Sequence, residues 1–327
     1  MEVIASRRKP VALSVHFDAR EMSDAERRER LYAGDIFICS ETPSSRALIA
    51  LARNLLEQAF APHHPETIHL HITPEEAAAI LGKLKPQFVH HPECKRLIPA
   101  LLREHGVDLE KVYFDVPRMR SAYPSDFLTS GIAYAFHPHR DTWYSAPFCQ
   151  LNWWIPIYPI KPDNSMGFYP RYFHEAVTNN SEIYNYYEWN EKSRATAAQH
   201  IKTDTRPQPK AQQDLEQVTV RFLPPPGGVL VFSGAQLHET VPNLEGVARY
   251  SIDFRTVHFD DVIARRGAAT VDSCCTGTTM RDYLRATDFS HLPDDAVKPY
   301  DDGTELKSSI LYFGDRLAGR PPNGSKE

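Results

Sequence analysis

His139 and Asp141 stand two residues apart in Ala135-Phe136-His137-Pro138-His139-Arg140-Asp141-Thr142-Trp143, and a lone His238 follows far downstream, behind an apolar run and a turn. Two imidazoles and one carboxylate form a ligand set for Fe(II). They fill about half of an octahedral ion's positions and leave the rest for a co-substrate and O2. Beyond His238, Arg249 and Ser251 lie two apart in an alternating stretch. A guanidinium fork suits bidentate capture of a carboxylate, and a neighbouring hydroxyl adds one hydrogen bond, so this pair reads as a carboxylate clamp.

These side chains need elements that bring them together. On a strand, side chains two apart face the same way, so His139 and Asp141 can grip one ion while Arg140 points elsewhere. The third ligand has to arrive from a distant strand. Residues 227 to 238 supply one: a Gly-Gly turn, an apolar run, a second turn, then His238. Aromatic and β-branched runs at 112–120, 129–136, 148–158, 166–170, 216–223, 228–233, 237–241 and 248–257 predict about eight strands. That pattern suits a mainly β fold with added α: a double-stranded β-helix, the jelly-roll or cupin-like architecture.

Residues 1–108 read as a mainly helical elaboration after a short opening strand, packed outside one sheet. Ser23-Asp24-Ala25-Glu26 has the form of a capping box, and 44–60 is strongly helix-periodic. Pro74-Glu75-Glu76 and Pro92-Glu93 place proline and acids in a first helical turn. The expected catalytic core is 109–260, with an insertion at 174–214 and a C-terminal extension at 261–327, all in one integrated domain. The insertion carries the aromatic cluster Tyr184-Asn185-Tyr186-Tyr187-Glu188-Trp189. It is suited to a lid over the metal and equally to a packing patch or a homodimer contact.

The series His139-x-Asp141, His238, Arg249-x-Ser251 resembles the Fe(II)/2-oxoglutarate-dependent oxygenase superfamily. Trp153-Trp154-Ile155-Pro156-Ile157, with Asn164-Ser165-Met166-Gly167-Phe168-Tyr169-Pro170, is similar to its phytanoyl-CoA dioxygenase-like branch. The resemblance spans roughly 110–258. Where that branch usually has Asn-Gly and then Pro-Gly-Ser-His, this chain has Asn164-Ser165 and Pro170-Arg171-Tyr172-Phe173-His174. The departure bears on the substrate rather than the reaction. By this resemblance His139, Asp141 and His238 hold iron, Arg249 pairs with the distal carboxylate of 2-oxoglutarate, and Ser251 assists. The implied activity is hydroxylation of an unactivated C–H bond in a small acid, amino acid or natural product, with release of succinate and CO2.

Around that centre, Gln150 and Asn152 alternate on an otherwise apolar strand as inward amides that need partners, and the co-substrate is one candidate. Arg118, Arg120, Tyr134, Arg140, Trp143, Tyr144, Trp154 and Arg255 are the residues expected near the substrate. Other histidine neighbours, His63-His64, His69-x-His71, His90-His91 and His258-x-Asp260, read as surface or capping residues, since 15 histidines produce such pairs by chance. His137 is the nearest rival ligand, but its use would leave Asp141 unexplained.

Two other classes compete. Arg249 and Arg255 are similar to the paired arginines of nucleic-acid demethylating oxygenases, although there the first arginine lies further from the metal histidine; a protein-modifying oxygenase belongs with this reading. A non-oxidative cupin-like isomerase or binding protein would use Arg249 in an internal ion pair. With 37 basic against 42 acidic residues, the net charge of −5 offers no electrostatic footprint for nucleic acid. No apolar run reaches the length of a membrane span, and the charged first ten residues lack the hydrophobic segment of a signal peptide. Five scattered cysteines without zinc spacing fit reduced thiols, hence an expected cytoplasmic location.

Overall fold

Segments where every second side chain is apolar become strands, and those with apolar residues three and four apart become helices. The computed structural model describes residues 13–304 apart from Arg20, Ala135, Phe136, Lys202, Val218, Thr219 and Thr270. The chain opens with β1 (Val15–Phe17), α1 (Asp24–Tyr32), β2 (Ile36–Cys39), α2 (Pro43–Phe60), α3 (Pro74–Val89) and α4 (Pro92–Glu104). The central part holds β3 (Val112–Phe114), β4 (Arg118–Ala122), β5 (Leu151–Pro156), β6 (Met166–Phe168), α5 (Tyr186–Lys192), β7 (Val220–Arg221), β8 (Val229–Ser233), β9 (His238–Thr240) and β10 (Arg249–His258). It closes with α6 (Phe259–Ala264), β11 (Leu284–Arg285) and α7 (Asp294–Val297).

Two sheets form. The larger runs β1-β2-β8-β5-β10-β3-β11, with β4 also on β10; the smaller runs β7-β6-β9. On β10, Tyr250, Ile252 and Phe254 are fully buried in a core shared with Leu48, Leu56 and Phe60 of α2 and Leu81, Leu84 and Phe88 of α3. Burying a side chain of that size stabilises the fold by roughly 1.5–3 kcal/mol. The alternate face of the large sheet, including Ile36, Trp154, Leu230 and Phe232, packs on Met166 and Phe168 of the smaller sheet. The helical side is well specified locally. Thr42 and Ser45 form a capping box at α2, and Thr73 and Glu76 form another at α3.

Four expectations change. Residues 1–108 do more than pack outside a sheet, because β1 and β2 extend the large one: β2 pairs antiparallel with β8. The C-terminal segment contributes β11 to the other edge. Residues 112–120 divide into β3 and β4, since Pro117 carries no N–H for the ladder; Asp115 instead accepts the Arg255 backbone N–H at 2.7 Å. The stretch 129–136 is not a strand where it is described. Gly131–Ala133 is a 3-10 turn, with Gly131 at φ +59° and so close to the insertion that a β-carbon there would meet the His200 carbonyl at 2.2 Å. Ala135 and Phe136 of that stretch, Val218 and Thr219 of 216–223, the opening ten residues and the tail from 305 lie outside the described residues.

Candidate metal centre and its cavity

The ligand geometry starts in the backbone. His139 and His238 exchange N–H···O=C hydrogen bonds, both 2.9 Å, as an isolated antiparallel bridge. That bridge sets two residues from distant parts of the chain directly opposite each other, with ring centroids 4.4 Å apart. The Asp141 N–H donates to the Gly234 carbonyl at 2.9 Å. A side chain at Gly234 would crowd both Asp141 and Gln150, the nearest contact falling at 3.1 Å.

Each imidazole has its tautomer fixed. Nδ1 of His139 donates to the His137 carbonyl at 2.8 Å, and Nδ1 of His238 to the Gln236 carbonyl at 2.9 Å. Nε2 of both rings then faces Asp141 Oδ1, at 3.5 and 3.9 Å. The three ligand atoms lie within 4.8 Å of one another and can hold one metal ion. Among the described residues no other trio of His, Cys, Asp or Glu is close enough to share an ion. His64 and His91 cap helices, and His63 stacks on His71 at 4.1 Å.

Protonation states suit ligation. Burial, with His139 alongside, pushes His238 down to about 4, so it is neutral near pH 7. Burial would raise Asp141, but its hydrogen bond with His139 and the charge of Arg255 override it and hold the carboxyl well below the usual range. The outer oxygen, Asp141 Oδ2, accepts from Gln150 Nε2 at 2.8 Å and Asn152 Nδ2 at 2.7 Å. Gln150 is held in turn by the buried Tyr283 hydroxyl, which donates to Gln150 Oε1 at 2.7 Å. Gln150 and Asn152 thus have the carboxylate of the candidate triad as partner, where a co-substrate contact was expected of them.

A cavity of about 480 Å³ opens from the triad, within the range of about 300–1,000 Å³ typical of small-molecule sites. The odd-numbered face of β10 crosses its floor. Arg249, Asp253 and Arg255 line it, while Ser251 is buried beside Arg249. Arg255 is paired with Asp115 at 3.3 Å and Asp253 at 3.5 Å. Arg120 forks onto Asp253 at 2.6 and 3.2 Å, and Arg118 pairs with Asp115. These three expected substrate residues line the cavity, but as members of internal ion pairs.

Arg249 is different. It is 5% exposed, its Nε has no partner among the described residues, and its Nη1 lies 3.5 Å from Ser251 Oγ. Its guanidinium carbon lies 5.6 Å from the centre of the Trp154 ring. Burial lowers its pKa to about 10, with Asp253 only partly offsetting the loss of water. Among the described residues no carboxylate lies within ion-pair range of this buried guanidinium, which lines the same cavity as the triad and is suited to an anion.

Two expected substrate residues do not reach the cavity. Arg140 is 1% exposed and turned away, with Nε on Asp272 at 3.1 Å and Nη1 on the Ala235 carbonyl at 2.7 Å. Trp143 is fully buried and donates to Asp272 at 2.8 Å. Both follow from the 3-10 turn that begins at Asp141 and carries the chain off the cavity face. Tyr134, Tyr144 and Trp154 do line it. The Tyr144 ring stands edge-on to His139 at 5.4 Å. From the insertion come Tyr184, Tyr186, Trp189, Arg194, Arg206 and Gln208.

Asp115, Asp253, Tyr283 and Lys85 were not foreseen. Asp253 had a signal, since it shares strand parity with Arg249, Ser251 and Arg255; the others are delivered by packing.

No protein-family model and no curated protein matches the chain. Among solved structures, EvdO2 from Micromonospora carbonacea var. aurantiaca, complexed with 2-oxoglutarate, is similar at 14% identity and TM-score 0.42, over 72% of this chain and 91% of that one. ThoJ, described as a non-heme monooxygenase, is similar at 14% identity and TM-score 0.39, over 71% and 76%. SnoN, described as a non-heme alpha-ketoglutarate-dependent epimerase of nogalamycin biosynthesis, matches at 13% and 0.36, over 72% and 82%. Identity and score are both low in all three.

Proposed function

We propose that the protein is an Fe(II)/2-oxoglutarate-dependent dioxygenase that hydroxylates a small molecule, on a double-stranded β-helix whose two facing sheets enclose the site. One observation carries this reading: a two-histidine, one-carboxylate triad shares its cavity with Arg249, a buried cation that has no acid of its own. The donor set fits iron(II), and the orphaned guanidinium fits the far carboxylate of a keto diacid. Arg249 in an internal ion pair, as a non-oxidative cupin-like protein would have it, is at odds with its missing partner.

When bound, iron with 2-oxoglutarate supplies the oxidation of an unactivated C–H bond by O2: one oxygen atom enters the product alcohol, and the co-substrate leaves as succinate and CO2. The chain's part is position and access. The carbonyls of His137 and Gln236 hold both Nδ1 atoms, so that the two Nε2 atoms would be the ones to take the ion. Gln150 and Asn152 hold Asp141 Oδ2 so that Oδ1 faces the metal. Arg249, beside the Ser251 hydroxyl and the Trp154 ring, would receive the distal carboxylate, and Tyr144 with the insertion's aromatics would limit water. Asp141 fills the position a halide would need, which favours hydroxylation over halogenation.

The test is optical. Under anaerobic conditions, adding 2-oxoglutarate to the Fe(II)-loaded protein is expected to give the weak visible charge-transfer band of a chelated keto acid, and Arg249→Ala to suppress it. Iron binding without such a band would refute the proposal.

A further inference from the structure

We propose that Lys85 is the anion-binding residue of a substrate subsite, and that the substrate is a carboxylic acid with an aromatic body. The proposal rests on the reading of Arg249 as the 2-oxoglutarate clamp. It starts from a census of the cations that line the cavity. Arg118 pairs with Asp115, Arg120 with Asp253, Arg194 with Asp282 at 3.2 Å, and Arg255 with Asp115 and Asp253. Arg206 pairs with Asp204. Among the described residues, two of these cations have no carboxylate in ion-pair range: Arg249 and Lys85.

2-Oxoglutarate brings two carboxylates, and both have places. One joins the keto group at the metal and the other meets Arg249, so none is left for Lys85.

Lys85 projects from the middle of α3 into the wall that also carries Pro86, Val89, Ile132 and Tyr134. Its ammonium has three donors, and the Ile132 carbonyl takes one. Burial and the charge of Arg120 push the amine down to about 7, and Asp253, beyond ion-pair range and already held by Arg120 and Arg255, offsets this only in part. An incoming carboxylate supplies that counter-ion. The body of the ligand would lie along rings that also line the cavity: Tyr134, Tyr144, Tyr184, Tyr186 and Trp189. Tyr144 and Tyr184 are edge-on at 5.1 Å, so the rings at this end of the cavity already pack as aromatics.

The probes are 3-phenylpropanoate and its amide, nearly equal in shape and different in charge. Binding is measured by titration calorimetry on the Zn(II)-loaded protein saturated with 2-oxoglutarate, where no turnover occurs. The acid is expected to bind at least about tenfold tighter than the amide. Lys85→Met should bring the acid to the amide's level and leave 2-oxoglutarate affinity unchanged, while Lys85→Arg keeps the preference. Equal binding of acid and amide to the wild-type protein overturns the proposal without any variant. So does an acid preference that survives Lys85→Met, and so does absence of acid binding. Weakening of 2-oxoglutarate by Lys85→Met would place the lysine in the co-substrate clamp and also overturn it. Should 2-oxoglutarate itself not bind, the Arg249 reading fails separately. The acid and amide are then compared on Arg249→Met, where a preference that vanishes with a second change, Lys85→Met, supports the subsite alone and one that persists overturns it.

Discussion

Arg249→Met is expected to stabilise the ligand-free protein while abolishing its response to 2-oxoglutarate. The guanidinium is 5% exposed, its Nε is unpartnered, and burial lowers its pKa from 12.5 to about 10. At about 1.36 kcal/mol per tenfold change in the ionisation constant, that drop corresponds to roughly 3 kcal/mol held against the folded state. The sign follows from linkage: the folded pKa is depressed, the arginine is charged in both states near pH 7, and the folded form alone bears the lost hydration. Methionine keeps most of the aliphatic stem against Trp154 and carries no charge. Allowing for imperfect packing, a gain of about 1–3 kcal/mol is expected, or about 2–6 °C at roughly 2 °C per kcal/mol for a chain of this size.

Ligand reverses the order. On the Zn(II)-loaded wild type, 2-oxoglutarate at about 1,000 times its Kd adds about 4 kcal/mol. The variant, having lost a buried charge partner for the carboxylate, should bind about 2–5 kcal/mol more weakly and gain little. Differential scanning calorimetry with and without 2-oxoglutarate reads both effects as two melting curves that exchange places. A variant that melts lower than wild type without ligand would show that Arg249 is a structural cation with a partner. Equal ligand-induced shifts in the two proteins would remove it from the clamp.

Gln150→Leu should weaken metal affinity about 10- to 100-fold in a chelator competition, because Asp141 Oδ2 loses one of its two amide donors and the Tyr283 hydroxyl is left unpaired; an unchanged affinity would mean that Asn152 alone orients the carboxylate. Gly131→Ala would place a β-carbon 2.2 Å from the His200 carbonyl and 2.3 Å from that of Ala197, so limited proteolysis within 194–210 should accelerate while the core melts unchanged. Identical cleavage rates would contradict the close seating. The metal-free protein should lose stability as pH falls from 6.5 towards 4. His238 stays neutral in the fold down to about 4 but protonates near 6.5 when unfolded, so the unfolded chain binds more protons across that window. The contribution is on the order of 2–3 kcal/mol, and His238→Gln should flatten the urea-measured slope; an equally steep slope in the variant would assign it elsewhere.

The chemistry of this site is far more legible in the sequence than its support, and the reason is physical. A metal accepts few residue types, and a strand repeats every two residues, so His139-x-Asp141 and Arg249-x-Ser251 carry both identity and orientation in the spacing itself. The same parity leads to inward amides at Gln150 and Asn152, and it also carries a signal for Asp253, which the sequence reading missed. It could not say that the amides turn to Asp141 rather than to a ligand, because that depends on the turn at Asp141 swinging the carboxylate beneath β5. Arg140 and Trp143 leave the cavity for the same reason, drawn to Asp272 from the C-terminal segment. Lys85 and Tyr283 have no periodic signature at all: one is a polar residue on a helix, the other lies beside a 3-10 turn, and only tertiary packing brings them to the site.

The stretch 129–136 shows the converse. Its aromatic and β-branched content favours a strand, yet Gly131 at positive φ turns the chain so that Ile132 can offer its carbonyl to Lys85 and the insertion can settle on the turn through Asp204 and Arg206. A propensity for extended structure is worth at most about 1 kcal/mol, less than the contacts a turn gains there. This wall of the cavity is therefore the part of the site least constrained by strand patterning. Ligand geometry can stay constant while this wall changes, so specificity should follow residues 131–134 and 184–208 rather than the sheets.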